Sequence, residues 1–234
     1  ECKLTNSFGK EYAVFKAFTS KRIVSLLKER YDYIVPHISE LLFNLGNDGY
    51  EEVIIQPLHM MDGKSSNDIK EIIEQYRYSF KKVSICNTLL SYDEENMISS
   101  VKSFVNAIYD EDEKGIILLA GHGSNVESNK VYDDIEDEFN KLSNEIVIMA
   151  TLEGDKTIEK AIENIKKKDC NDVVIKPLFI IPGKHISEDI LEGENSWAQL
   201  LIDNGFNMKI SKKSLIQYKK IVEIYIKNIN EIVK

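Results

Sequence analysis

Short apolar runs alternate with amphipathic helical patterns along the whole chain, and this alternation restricts the fold more than any other feature of the sequence. Several of the apolar runs are continuous, which is typical of strands that helices cover on both faces. Strands that alternate with helices predict βα units and a mainly parallel sheet. The predicted fold class is therefore α/β. The predicted strands are Ala13–Thr19, Glu52–His59, Lys82–Leu89, Gly115–Ala120, Glu145–Leu152, Asp172–Ile181 and Asn207–Ser211.

Helical patterns lie between these runs and carry apolar residues at 3.6-residue spacing. In Thr157–Lys168, for example, Ile158, Ala161, Ile162 and Ile165 share one face and predict a helix that packs on the sheet. The other predicted helices are Lys21–Arg30, Ile38–Leu45, Asp68–Tyr78, Glu95–Ile108, Lys130–Leu142, Glu188–Asp203 and Leu215–Ile232.

An internal repeat indicates that the chain consists of two similar α/β halves. Val53–Lys64 and Val173–Lys184 share six of twelve residues at an offset of 120 positions. The most polar stretch near the middle, Asp110–Lys114, predicts the boundary between an N-terminal half, residues 1–110, and a C-terminal half, residues 111–234. We expect the parallel sheets of the halves to face a central cleft, because the carboxyl ends of parallel strands commonly form binding sites.

The charge balance excludes several classes of function. With 30 Lys and Arg against 39 Asp and Glu, the net charge of the 234 residues is −9, which argues against nucleic acid or an anionic membrane as a partner. No apolar run reaches the roughly 18–20 residues of a membrane helix. The 3 cysteines fit neither a disulfide framework nor a zinc ribbon. We expect a cytoplasmic protein, although a removed signal stays open because the chain does not begin with Met.

Three polar residues follow successive predicted strands of the second half. His122, Glu153 and His185 are separated by 31 (122 to 153) and 32 (153 to 185) residues, about one βα unit each. Consecutive parallel strands end at the same edge of a sheet, so we expect these side chains to converge. Two imidazoles and a carboxylate form an open partial shell for a divalent ion. Taken singly, each has a structural interpretation: a turn for His122, a helix cap for Glu153 and a first-turn position for His185.

Other motifs are more ambiguous. His59 ends a predicted strand of the first half, either as a functional residue or as a partly buried histidine. His37 is interpreted as a helix-start residue. The run Asp62–Ser65 imitates the end of a phosphate-binding P-loop, but that motif requires a glycine where Leu58 stands. An ATPase is therefore not predicted.

Several runs, in order along the whole chain, resemble the anaerobic-pathway cobalt chelatases of cobalamin biosynthesis (the CbiK type). They are Val14–Ser20, Gln56–His59, Gly121–Ser124, Ala150–Gly154 and Pro182–His185, followed by Ser196-Trp197. The resemblance implies the class II chelatase fold, in which two α/β halves surround a tetrapyrrole cleft. It also implies ATP-independent insertion of Co²⁺, as the substrate metal, into sirohydrochlorin or its reduced precursor, with no organic cofactor.

Residue roles also follow from the resemblance. It implies that His122, Glu153 and His185 bind the metal and take part in catalysis, and that His59 matches a catalytic histidine on the opposite wall of the cleft. The substrate carries many carboxylates although the chain is acidic, so we expect local donors to bind it. Candidates for this role are Ser124, Lys64 and Lys184.

The chain departs from the family pattern in two places. Family members begin with an apolar strand and a helix ahead of the run that contains Ala17, so we expect about 20–25 further residues, including a central strand, ahead of Glu1. Where the family carries acidic and aromatic residues, this chain has Lys64-Ser65-Ser66, and an auxiliary carboxylate is missing.

Alternatives stay open at this point. Imidazole and carboxylate ligands suit Co²⁺, Ni²⁺ and Fe²⁺ alike, so a chelatase for iron or nickel with a related tetrapyrrole is an alternative. A tetrapyrrole- or metal-binding protein without turnover is another. A homo-oligomer is compatible with these residues, which do not determine the oligomeric state.

Overall fold

Parallel strands form the framework of the protein, as the sequence predicts. The computed structural model describes residues 2–62, 64–90, 94–123, 129–181, 183, 188–211 and 213–233. The strands in this part of the chain are β1 Glu52–Ile55, β2 Lys82–Ile85, β3 Ile116–Gly121, β4 Val147–Thr151, β5 Asp172–Pro177 and β6 Asn207–Ile210. Every pairing between them is parallel, which confirms the α/β fold class.

Helices connect the strands. They are α1 Cys2–Phe8, α2 Lys21–Tyr31, α3 Ile38–Asn47, α4 Lys64–Tyr76, α5 Glu94–Ile108, α6 Asn129–Leu142, α7 Ile158–Ile165, α8 Trp197–Asp203 and α9 Lys219–Val233. Short 3₁₀ turns precede β2 at Arg77–Ser79 and α9 at Leu215–Gln217, and a π-helical turn spans Glu188–Glu192. The predicted interpretation of His37 is confirmed, since its side chain accepts a hydrogen bond from Ser39 N at the start of α3.

The fold divides into two compact units. The first contains residues 1–91 and 223–234, and the second contains residues 92–222. Helix α5 thus packs with the second unit, and most of α9 packs with the first. The predicted halves, divided at residue 110, stay a prediction.

The second unit is built on a four-stranded sheet in the order β4-β3-β5-β6. Every residue of β3 and of β4 is buried, because helices cover both faces and leave no alternating polar side. The predicted apolar face of α7 is confirmed: Ile158, Ala161 and Ile162, together with Ile165, pack in the core of this sheet.

The first unit contains the two-stranded sheet of β1 and β2, in register from Glu52 opposite Lys82 to Ile55 opposite Ile85. The hydrophobic core of this unit contains Leu42 and Leu45 of α3 and Ile69 and Ile73 of α4. Strands β1 and β5 both begin one residue before the repeat, at Glu52 and Asp172.

The predicted strand Ala13–Thr19 is wrong. The pairing recorded there is a single bridge, in which Phe18 N donates to Pro36 O and Ile38 N donates to Phe18 O. The ladder cannot extend toward residue 16, because Pro36 has no N–H to donate. It cannot extend the other way, because α3 begins at Ile38.

The prediction of one helix over Glu188–Asp203 is also wrong. The chain makes the π-helical turn, turns at Gly193 and starts α8 only after Ser196, whose hydroxyl accepts from Gln199 N. A β-carbon on Gly193 would stand 2.9 Å from Glu188 O, so the tight turn depends on glycine. Ser196 is an effective N-cap and starts a new helix instead of continuing the old one.

Candidate functional site

His122 and Glu153 follow the carboxyl ends of two neighbouring strands of the second unit. Strands β3 and β4 pair in parallel up to Gly121 opposite Thr151. Beyond the ladder, the N–H of Glu153 donates to the carbonyl oxygen of His122 at 2.9 Å. Both side chains are exposed. The structure therefore brings these two predicted ligands to one edge of the sheet, as their spacing predicts.

The imidazole of His122 has a defined partner. Its Nδ1 lies 3.2 Å from the carbonyl oxygen of Gly123, and a carbonyl oxygen only accepts hydrogen bonds. The contact thus requires a proton on Nδ1, which leaves the lone pair of a neutral ring on Nε2. Hydrogen bonding of one ring nitrogen to a carbonyl is the usual way in which proteins orient a metal-binding histidine.

Glu153 is fixed through its backbone. The hydroxyl of the buried Thr151 donates to the carbonyl oxygen of Glu153 at 2.7 Å, while the N–H of Thr151 donates to Lys156 O at 2.7 Å. These contacts shape the turn after β4 and leave the carboxylate of Glu153 exposed. A substitution of this side chain consequently removes its charge without removing the hydrogen bonds of the turn.

The remaining predicted residues of this group cannot be placed. Ser124, Lys184 and His185 lie outside the described residues, and of Lys64 only its position at the start of α4 is described. Within the described part of the chain, no group of three or more His, Cys, Asp and Glu side chains forms a metal site. His122 and Glu153 are two members of the predicted set of three.

His59 lies in the first unit, after β1. Its Nδ1 is buried and has no hydrogen-bond partner among the described residues. Burial lowers the pKa of His59 below its usual 6.5, an effect that the nearby carboxylate of Asp62 partly offsets. The ring is therefore neutral at pH 7, the form that can accept a proton.

Two side chains that the sequence does not single out hold the backbone around His59. The hydroxyl of Tyr225 donates to the carbonyl oxygen of His59 at 3.1 Å, and Asn228 donates to Asn87 O after β2 at 3.1 Å. Both belong to α9, more than 140 residues farther along the chain. Helical periodicity predicts that Tyr225 is buried, but nothing in the sequence indicates its partner.

No helix in the described residues is long and apolar enough to span a membrane.

The fold is that of a chelatase. SirB from Bacillus subtilis with Fe³⁺ is 14% identical and superposes with a TM-score of 0.59 over 92% of this chain and 91% of its own. The sirohydrochlorin chelatase SirB from Bacillus subtilis subspecies spizizenii in complex with cobalt is 15% identical, with a TM-score of 0.60 over 90% and 86%.

The chain belongs to the cobalt chelatase (CbiK) family, whose model matches residues 1–234. A curated relative, the sirohydrochlorin cobaltochelatase of Salmonella typhimurium, is 21% identical over 187 residues, which are 79% of this chain and 69% of the relative. The predicted resemblance is confirmed, and the protein is a metal chelatase.

Proposed function

We propose that this protein inserts Co²⁺ into sirohydrochlorin, or into its reduced precursor, without ATP. The observation that carries the proposal is the placement of His122 and Glu153 after neighbouring parallel strands, joined by the hydrogen bond from Glu153 N to His122 O. Membership of the cobalt chelatase family supports Co²⁺ as the substrate metal. The name of the Salmonella relative supports sirohydrochlorin as the tetrapyrrole substrate.

In this proposal the metal is held by Nε2 of His122, the carboxylate of Glu153 and the imidazole of His185. Three protein ligands leave coordination positions open for water and for the incoming pyrrolic nitrogens. Ligand exchange can then proceed stepwise, because each new metal–nitrogen bond replaces a protein or water ligand. The exposure of His122 and Glu153 allows the ion to enter and leave.

Insertion also releases protons. A tetrapyrrole that takes up a divalent ion loses two N–H protons, so the reaction requires bases. We propose that His59 accepts one of them. Its lowered pKa keeps the ring neutral at pH 7, and general bases are most useful when they are unprotonated at the working pH.

The substrate's carboxylates need local donors in a protein with a net charge of −9. We assign this role to Lys64, Lys184 and Ser124, as the sequence predicts. In this proposal the reaction takes place in the cytoplasm, and the partners are the tetrapyrrole and the divalent ion.

An anaerobic insertion assay tests the proposal. Sirohydrochlorin is mixed with Co²⁺, Fe²⁺ or Ni²⁺, and the rate with wild-type protein is compared with the uncatalysed rate and with His122→Ala. We expect acceleration with Co²⁺ that falls by about 10-fold or more in the variant, because even outer partners of metal ligands contribute about 10–100-fold. Faster insertion of Fe²⁺ or Ni²⁺ would change the assigned metal. Tight binding of tetrapyrrole and Co²⁺ without acceleration would instead identify a binding protein without turnover.

A further inference from the structure

The peptide that joins His122 to Gly123 is held at both of its polar ends. Its carbonyl oxygen, on His122, accepts from Glu153 N at 2.9 Å. Its N–H, on Gly123, donates to the hydroxyl oxygen of Tyr132 at 3.2 Å. The first contact comes from the neighbouring strand end and the second from helix α6, so the plane of this peptide is fixed from two independent elements.

Tyr132 reaches this position because Gly121 has no side chain that would occupy the space of its ring. The side chain is 3% exposed, and a β-carbon on Gly121 would stand 2.5 Å from the Tyr132 ring. Gly123 adopts a φ of +79°, a left-handed conformation that favours glycine. With the preceding peptide plane fixed, this φ sets the direction of the Cα–C bond that carries the Gly123 carbonyl.

That carbonyl oxygen accepts the hydrogen bond from His122 Nδ1 at an N···O distance of 3.2 Å. A continuous series of contacts therefore runs from the Tyr132 hydroxyl through Gly123 to the imidazole of His122. We propose that Tyr132 is a positioning residue: by fixing the Gly123 backbone, it keeps the proton of His122 on Nδ1 and presents Nε2 to the substrate metal. The metal-binding part of this inference rests on the proposed function, while the tautomer does not.

Removal of the Tyr132 hydroxyl tests this role with little change in packing. In Tyr132→Phe the ring stays, but the buried N–H of Gly123 loses its acceptor, and buried donors that lose their partner drive local rearrangement. We expect the Gly123 carbonyl to turn away and the His122 ring to populate both tautomers. We also expect the Kd for Co²⁺ to rise about 10-fold, the lower end of the effect of outer-shell substitutions at metal sites.

The tautomer is measured in the metal-free protein by NMR of ¹⁵N-labelled histidine. The chain has 4 histidines, and the spectrum of His122→Ala identifies the signals of His122. We expect wild-type protein to carry the proton on Nδ1 and Tyr132→Phe to give a mixture. A wild-type signal with the proton on Nε2, or an unchanged signal in Tyr132→Phe, would overturn the proposal.

Two controls separate positioning from folding. Phe139 lies two turns farther along α6 and is fully buried. Phe139→Leu therefore weakens the packing of the same helix, but it should leave the His122 signals and the Kd for Co²⁺ unchanged. In a His122→Ala background, Tyr132→Phe should change the Kd by less than about 2-fold, since coupled residues show non-additive effects. An equal loss of affinity in that background would show that Tyr132 acts through the fold and would overturn the proposal.

The outcome for Tyr132 is distinguishable from the outcome for the proposed function. If His122→Ala binds Co²⁺ as tightly as the wild type, the assigned metal ligand is wrong, yet the tautomer measurement still decides the role of Tyr132. If His122→Ala loses Co²⁺ and the tautomer is insensitive to Tyr132, the proposed function stands and the positioning role is wrong.

Discussion

Gly123 lies so close to Glu153 that a β-carbon on Gly123 would stand only 1.9 Å from the carbonyl oxygen of Glu153. No side chain fits into this distance without moving one of the two turns. The turns that carry the two proposed metal ligands are therefore packed directly against each other, backbone to backbone. Their relative position depends on the absence of a side chain at residue 123.

Replacement of Gly123 by alanine should destabilise the protein more than its left-handed φ alone explains. Gly205 in the same unit is a matched control, because it has a φ of +85° but nothing within 4 Å of a β-carbon. Both variants bear the cost of a left-handed alanine, about 1–2 kcal/mol. We expect Gly123→Ala to lose a further 1–3 kcal/mol or so from overpacking, measured by urea unfolding. Equal losses in the two variants would contradict the close packing.

Removal of the charge of Glu153 should weaken Co²⁺ binding without affecting stability. Its carboxylate is exposed, and its turn is held by backbone contacts. We expect Glu153→Gln to raise the Kd for Co²⁺ by about 10-fold or more, with an unchanged midpoint of thermal unfolding. Asp155, two residues away and also exposed, provides the control, since Asp155→Asn removes the same charge. A similar Kd in both variants would show that Glu153 affects Co²⁺ binding only through its negative charge and is not a ligand.

Stability should depend on pH through His59. Its pKa in the folded protein is lowered by burial from the usual 6.5, so the unfolded chain binds a proton at a higher pH than the folded chain. The free energy of unfolding must therefore fall as the pH is lowered from about 6.5 toward the folded pKa, and must level off once both states are protonated. Urea unfolding at several pH values should show this slope in wild-type protein and less of it in His59→Gln.

The carboxylate of Asp62 allows a second test of the His59 titration. Because it raises the pKa of His59 against the effect of burial, Asp62→Asn should lower that pKa further. NMR titration of the His59 ring measures it directly. A pKa that rises in Asp62→Asn would show that the carboxylate does not stabilise the protonated ring.

Removal of one partner from the buried ion pair of Lys176 and Glu113 should destabilise the protein more than removal of one partner from an exposed pair. Nζ of Lys176 lies 2.6 Å from Glu113, and their side chains are 1% and 14% exposed. Glu113→Gln leaves the ammonium of Lys176 buried without its counter-ion, so we expect a loss of about 3 kcal/mol in the free energy of unfolding. Glu74→Gln breaks an exposed pair with Arg77 and should cost less than about 1 kcal/mol. Comparable losses in the two variants would contradict this difference.

Strands β3 and β4 could be predicted closely because burial on both faces leaves an unbroken apolar signal. The predicted Gly115–Ala120 and Glu145–Leu152 differ from β3 and β4 by one or two residues at each end. The edge position of His122 and Glu153 followed from the same signal, since parallel strands fix which residues share an edge. The spacing of the two residues along the chain was sufficient to predict that they share an edge.

Contacts that depend on a single atom could not be predicted. The run Ala13–Thr19 has the composition of a strand, yet its pairing ends where Pro36 lacks an N–H. Tyr132 looks like any buried residue of an amphipathic helix, and only the three-dimensional structure shows that its hydroxyl meets Gly123. Sequence periodicity reports which face of a helix is buried, not which polar atom a buried side chain reaches.

The division of the chain has a consequence for the order of events on the ribosome. Residues 92–222 of the second unit are continuous, whereas the first unit combines residues 1–91 with 223–234. Domains generally fold as they emerge during synthesis, so the second unit can fold while the first still lacks Tyr225, the hydrogen-bond donor to His59. The unit that is translated first thus needs the residues that are translated last, and Tyr225 can fix the backbone around His59 only after residues 223–234 have joined that unit.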